Sequence, residues 1–260
     1  VTSRARPDRH ATLSLYLTGE HPCSYIPGLS ARSLFVDPLQ RVDAVTYQLL
    51  LEHGFRRSGG YIYRPGCDRC RRCVSLRIPV REFAPSRSQR RNRELNARDV
   101  TCTSRPASFE PEHFRLYDTY LQSRHPGGSM ADATPASYTD FLVSPWGGET
   151  RFLELRLGER LMAVAVTDVL PHGLSAVYTF FEPGLSSRAP GTYAVLCQID
   201  EARRQGLDHL YLGYWIEESR KMSYKDRFRP TEAWMGGTWQ PVARGERIPW
   251  RENGPAGHAS

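Results

Sequence analysis

The stretch from residue 151 to 214 constrains the fold more than any other part of this chain. Arg151–Leu157 alternates, with Leu153, Leu155 and Leu157 on one face, as a strand lying on a core requires. Gly158-Glu159 follows, with glycine first, as a type II′ hairpin turn prefers. Leu161–Val169 is almost wholly apolar, the pattern of a central strand buried on both faces. His172 and Gly173 sit in a turn, Ala176–Phe181 reads as a third strand, and Glu182-Pro183-Gly184 ends it. Gly191-Thr192 opens an amphipathic helix to Gln205, stopped by Gly206, and His209–Tyr214 is a fourth strand.

Three strands in a meander, then a helix, then another strand is the core order of N-acetyltransferase-like (GNAT) domains, a likeness of topology and not of chemistry. That fold binds its acyl donor near the start of the helix, where free N–H groups and the helix dipole can meet a phosphate. Acetyl-CoA-dependent members place a Gln/Arg-x-x-Gly-x-Gly/Ala loop there. The segment Ser187-Arg188-Ala189-Pro190-Gly191-Thr192 has one glycine, which argues against acetyl-CoA. The fold expected is therefore α/β (α+β). A small cysteine-bearing domain over residues 1–84 precedes an acetyltransferase-like domain with a mostly antiparallel sheet over 85–243, and a disordered tail covers 244–260.

The first half carries weaker signals. The first twenty residues read as a frayed lead-in. Asp43 to His53 is a helix closed by Gly54, and Tyr61–Tyr63 and Val74–Val80 are short strands. Pro85 to Leu95 reads as a turn leading into a strand or a helix end. Pro111–Arg124 and Pro135–Val143 are helices, and the Gly-rich residues 124–130 between them suit the mouth of a site. No run of about 18 apolar residues exists to span a membrane. The basic start lacks the apolar region of a secretory leader. Six cysteines, three of them within seven positions, suit reduced thiols in a cytoplasmic protein better than a disulfide framework.

Charge is segregated. Residues 56 to 98 hold thirteen arginines against Asp68, Glu82 and Glu94, a local net of +10 in a chain of net +7. Composition explains why the cations are arginine, since only Lys221 and Lys225 are lysines, but not why they cluster. A basic stripe on an acidic remainder is the footprint of a polyanion partner. Arg87, Arg90, Arg91 and Arg93 are the candidates for phosphate contact, against the duller reading of a solvated cationic face. Cys67, Cys70 and Cys73 fall at C-x2-C-x2-C, and Cys23 is the natural fourth ligand for a soft metal or cluster; four packed thiols is the plainer alternative. Lys221 and Lys225 lie four apart among Tyr211, Tyr214, Trp215, Tyr224 and Phe228, which could stack a base or line an aminoacyl pocket.

Six segments in order, HPCSYIP (21–27), GFRRSGGYIYRPGCDRCRRCVSLRIPV (54–80), FAPSRSQRR (83–91), AVAVTDVLPHGLSAVYTFFEP (163–183), PGTYAVLCQIDEA (190–202) and LYLGYWIEESRKMSYKDRFRP (210–230), resemble the arginyl-tRNA–protein transferase family and its short bacterial leucyl branch. The resemblance covers about Pro22 to Gln240. It implies a cytoplasmic aminoacyltransferase that moves leucine from leucyl-tRNA to proteins beginning with Asp or Glu, marking them for N-degron proteolysis. Arginyl-tRNA as donor, an acetyl-CoA-dependent N-acyltransferase and a non-catalytic, metal-containing RNA-binding protein are the competing readings. In the eukaryotic relatives the resemblance links an iron–sulfur cluster to N-terminal cysteines in a C-x2-C plus an adjacent pair, a pattern from which this chain departs; an iron–sulfur cluster or zinc at Cys23, Cys67, Cys70 and Cys73 is the expectation from soft-ligand chemistry. The transfer itself requires no cofactor, because the tRNA ester is already activated. Asp168, Tyr178 and Lys225 are the expected catalytic residues, with Asp168 accepting the amine proton or holding the acceptor's ammonium. Arg188, Tyr214, Trp215, Lys221, Tyr224 and Arg229 are expected to bind substrate, with Arg227 a further cation for an acidic acceptor.

Overall fold

The computed structural model describes residues 12–124 and 132–250. Most of the Gly-rich loop, the extreme lead-in and the last ten residues of the expected tail lie outside the described residues. In chain order the strands are β1 (Leu15–Leu17), β2 (His21–Pro22), β3 (Ser30–Ala31), β4 (Ser33–Val36), β5 (Arg56–Ser58), β6 (Tyr61–Pro65), β7 (Val74–Pro79), β8 (Val100–Pro106), β9 (Glu149–Leu157), β10 (Arg160–Leu170), β11 (Gly173–Phe181), β12 (His209–Trp215), β13 (Thr231–Met235) and β14 (Thr238–Val242). The helices are α1 (Ala44–Glu52), α2 (Arg87–Asn96), α3 (Pro111–Arg124), α4 (Pro135–Tyr138), which runs into a π turn at Thr139–Val143, and α5 (Pro190–Arg204).

Eight strands form one sheet in the order β14-β13-β7-β12-β11-β10-β9-β8, and every neighbour in it is antiparallel except β11 with β12. Gly158 takes φ +57°, as the first residue of a type II′ turn must, and Arg160 pairs with Leu157 across it. β10 is buried on both faces. Val164 and Val166 pack with Phe152 and Phe180 under Leu116, Tyr117 and Leu121 of α3, while Ala163 and Ala165 meet Tyr193, Ala194 and Cys197 of α5. Two covered faces leave no room for alternation, which is why this segment reads as a continuous apolar run. Truncating a fully buried side chain here, such as Leu121→Ala, costs about 2–5 kcal/mol.

β11 and β12 pair only at Gly173–Ser175 with His209–Tyr211 and then part. Register shifts between Val166 and Thr167 and between Tyr211 and Gly213 bend both walls at this level. α5 starts beside the far end of β11: a Cβ on Gly191 would meet the Phe181 ring at 3.4 Å. The strands thus open a wedge toward the N-terminus of a fifteen-residue helix.

Four features depart from expectation. β1 lies in the supposed frayed lead-in, paired with β4 in a four-stranded sheet of order β1-β4-β6-β5. β7 is hydrogen-bonded between β12 and β13 inside the eight-stranded sheet, although residue 84 was placed as the end of a separate unit. The Pro85–Leu95 segment is a ten-residue helix, fixed by a capping box in which Ser86 Oγ accepts from the Gln89 N–H and Gln89 Oε1 accepts from the Ser86 N–H. Residues 244–250 are no loose tail. Ile248 is buried, Trp250 packs on the core around Phe83 and Trp215, and its indole donates to Glu217.

Candidate active site

The wedge has a cationic wall and an aromatic wall. On the β12 side, a 3-10 turn at Ser223–Arg227 carries Lys225 inward until it is only 8% exposed. Its Nζ donates to the Tyr214 carbonyl at 2.7 Å and reaches Met222 Sδ at 3.5 Å. Arg56 of β5 stands beside it, its guanidinium over the rings of Tyr214 and Tyr63 at 5.4 and 5.8 Å. Burial, reinforced by the Arg56 charge, pulls the Lys225 ammonium from its ordinary 10.5 down to about 7.

On the β11 side, Tyr178 sits among Phe141, Tyr117 and Tyr120 at centroid distances of 5.2, 6.1 and 6.4 Å. Its hydroxyl is buried and has no hydrogen-bond partner among the described residues. Burial raises its pKa far above the ordinary range, so it stays a neutral donor. Tyr120 also packs edge-on against Phe181, which lies under the Arg124 guanidinium. Tyr224, exposed on the turn that carries Lys225, is within electrostatic reach of Tyr120. Sequence reasoning had Tyr178, Tyr224 and Lys225 but missed Arg56, Tyr120 and Phe141. The first was hidden in an arginine-rich run, and the other two in ordinary apolar helix faces.

Other expected site residues have different work. Asp168 is fully buried on β10, where Arg57 grips both its carboxylate oxygens at 2.8 and 2.7 Å and Thr150 donates to it at 2.7 Å. The Trp146 indole donates to Thr150 and its ring lies 5.4 Å from the Arg57 guanidinium. With both oxygens committed and no exposure, Asp168 is corrected from proton acceptor to structural anion. Trp215 is core, its indole donating to the Ser223 carbonyl. Arg188 makes a two-point contact with Asp99, and its carbonyl accepts from Asn92 and Asn96, tying α2 to the entry of α5. Arg229 is buried on the carbonyls of Asp226 and Val242. Tyr214 is a buried platform whose phenol donates to backbone carbonyls of Gly54 and Tyr63. Lys221 is exposed, and Arg227 is exposed with its carbonyl held by Gln89.

The basic helix α2 borders this region through that Gln89–Arg227 contact and through Asn92. Arg87, Arg90 and Arg91 are on its solvent face, whereas Arg93 turns inward to Asp200 of α5 at 3.0 Å. Cys23, Cys67, Cys70 and Cys73 are brought into one half-buried neighbourhood. Burial and then the other three thiols push Cys73 up to about 12. Among the described residues no group of three or more His, Cys, Asp or Glu side chains stands in a metal-ligating arrangement. Cys102 and Cys197, far apart in sequence, are electrostatic neighbours between β8 and α5. No helix among the described residues is long and apolar enough to cross a membrane.

Comparison with known proteins gives this geometry a context. The family model for the arginine-tRNA-protein transferase N terminus matches residues 21–91, and that for its C terminus matches residues 112–235. An aspartate/glutamate leucyltransferase of Alkalilimnicola ehrlichii is 48% identical over 92% of this chain and 99% of its own length. Enzymes of the same name from Stenotrophomonas maltophilia strain K279a and Pseudomonas aeruginosa strain PAO1 are 49% and 47% identical, over 89% and 88% of this chain and 94% and 97% of theirs. Among solved structures, the C-terminal domain of a lysylphosphatidylglycerol synthetase from Agrobacterium fabrum aligns over 75% of this chain and 61% of its own, with 13% identity and a TM-score of 0.48, too loose to carry the fold assignment. By sequence, across both of its characteristic segments, the chain belongs to the arginine-tRNA-protein transferase family.

Proposed function

We propose that this protein transfers leucine from leucyl-tRNA to the N-terminal amine of proteins beginning with Asp or Glu, on an acetyltransferase-like C-terminal fold. The observation that carries the reading is the wedge between β11 and β12, which opens at the α5 N-terminus between an aromatic and a cationic wall. The names and extent of the relatives support the choice of leucine and of acidic acceptors.

The reaction needs two substrates held in line. The acceptor's neutral α-amine attacks the ester carbonyl carbon of the aminoacyl-tRNA, a C–N bond forms and the carbonyl oxygen becomes an oxyanion. Collapse breaks the bond to the ribose oxygen, and the proton lost by the amine ends on that oxygen. A protein N-terminus titrates near about 7.7–8.0, so a useful fraction is neutral at physiological pH, and positioning supplies much of the rate. Tyr178 offers a neutral hydroxyl, without a hydrogen-bond partner among the described residues, to the aminoacyl end of the donor from within an aromatic cage suited to an apolar side chain. Arg87, Arg90 and Arg91 face outward where the tRNA backbone would run. A soft metal or iron–sulfur centre at the four clustered cysteines is a separate proposal, and no step here passes through it. Anaerobic purification followed by iron, zinc and acid-labile sulfide analysis tests it; a folded protein with none of the three sinks it.

The test of the function offers leucyl-tRNA, arginyl-tRNA and acetyl-CoA separately, with peptides starting in Asp, Glu or Ala. The expected product is leucyl-Asp and leucyl-Glu peptide from leucyl-tRNA alone. Acetylation without regard to tRNA, or no transfer to either acidic peptide, overturns the proposal.

A further inference from the structure

Most half-buried and buried arginines of this chain have an evident counter-charge or a set of carbonyls. Arg57 has Asp168, Arg77 has Glu52 and Glu232, Arg156 has Glu112 and Glu154, and Arg203 and Arg229 are held by backbone oxygens. Arg56 differs. Its contacts are the faces of Tyr63 and Tyr214, and its main electrostatic neighbours are the phenols of Tyr63, Tyr25 and Tyr214 together with the Cys73 thiol. Among the described residues, Lys225, the second cation, has only the Tyr214 carbonyl and Met222 sulfur as hydrogen-bond partners. Among the described residues no carboxylate forms an ion pair with either. Placing two cations side by side away from water costs free energy in the resting protein, and a ligand that brings an anion recovers it.

The space for that anion is defined by Gly213. A Cβ built on it would find only two atoms within 4 Å, Lys225 Nζ at 3.8 Å and Arg56 Nη1 at 3.9 Å. With no side chain at Gly213, both cation termini face its backbone across a space that no Cβ fills. Gly213 also has φ +69°, so its backbone conformation excludes most side chains that would fill the gap. An ammonium and a guanidinium facing one opening match a single carboxylate with several charge-assisted hydrogen bonds. We propose that Arg56 and Lys225 form the subsite for the side-chain carboxylate of the acceptor's first residue and so set the preference for Asp and Glu. This rests on the transfer reaction proposed above and assigns its acceptor specificity to two residues from opposite halves of the chain.

The experiment measures leucyl transfer and, independently, peptide binding by calorimetry, with peptides that differ only in a first residue of Asp, Asn, Glu or Gln. Asn and Gln keep the shape and remove the charge. Wild type is expected to favour Asp over Asn by roughly 100-fold in kcat/KM, the scale of one hydrogen bond to a charged group. Arg56→Gln lowers Asp transfer at least tenfold more than Asn transfer, mainly through KM; Arg56→Lys restores most of the preference. Lys225→Met repeats the loss. Equal losses toward Asp and Asn in a folded Arg56→Gln protein overturn the subsite, because a merely structural residue would not read charge. If wild type transfers nothing yet binds the Asp peptide more tightly than the Asn peptide, and Arg56→Gln erases that difference, the subsite stands and the transfer reading falls. Indifference of wild-type binding to the charge of the first residue overturns the subsite.

Discussion

Lys225 makes a prediction that needs no substrate. Its ammonium is pulled down to about 7 by burial and by Arg56, with Tyr214 and Met222 completing its surroundings. In the unfolded chain it keeps its ordinary value of 10.5. Between those two values the unfolded state binds more protons than the folded state, so this residue makes stability rise as pH increases from about 7 toward 10. Below 7 it is charged in both states and the burial penalty is paid in full. A series of melts at pH 6.5 to 9 is expected to show wild type gaining on Lys225→Met as pH rises; parallel curves would mean that the lysine is not buried as a strained cation. Asp168 leads to the opposite kind of prediction. Removing one member of a buried ion pair costs about 3–5 kcal/mol, so Asp168→Asn and Arg57→Met should lower the melting temperature sharply. Folded Asp168→Asn at low temperature should retain most of its kcat, whereas a fall of a thousandfold or more would restore Asp168 to the chemistry. The sequence showed that an aspartate sat near the end of an apolar strand, but not that Arg57, 111 positions earlier, closes over it. Arg56 and Arg57 are adjacent and identical in type, and strand alternation alone sends one into a sealed ion pair and the other to the site.

At the level of elements, apolar periodicity found what apolar packing made. The β9–β10–β11 meander and α5 stand close to their expected bounds because their buried faces are leucine, valine, alanine and aromatic. α2 escaped that reading since its inner face is Gln89, Asn92 and Asn96, whose amides bond to the carbonyls of Arg227 and Arg188 in place of hydrophobic contact. Only the capping box announced it. The helix separates its arginines into two groups with distinct expected behaviour. Arg90→Ala with Arg91→Ala removes two outward cations and should weaken tRNA binding while reducing the slope of log K against log salt by about one to two units. Arg93→Ala breaks the contact with Asp200 and should leave that slope unchanged while lowering stability modestly. Filter binding from 50 to 300 mM salt distinguishes them, and an unchanged slope for the double variant removes α2 from the tRNA footprint.

The molecule as a whole is held together across the point at which composition divides it. Four of the six cysteines and the small sheet fall before residue 84, and the long apolar strands fall after it, so a boundary there is natural to propose from sequence. Pairing between distant segments is not written in local pattern, and β7 shows the consequence. Its six residues look like any short strand, yet Leu76 and Ile78 are fully buried in the core shared by α5, β12 and β13. The Arg57–Asp168 pair and the Arg56–Lys225 juxtaposition each join a residue of the first segment to one of the second. A fragment beginning at residue 85 would therefore lack the strand between β12 and β13, one cation of the proposed carboxylate subsite and the counter-charge of Asp168. It should show no cooperative unfolding transition, should expose its sheet edges to aggregation and should not transfer leucine. Co-expression with residues 1–84 should recover soluble complex and activity, because the missing contacts are noncovalent and lie on the face the first segment covers. A fragment from residue 85 that melts cooperatively on its own would show that β12 and β13 can close without β7, and that the two halves are separate folding units after all.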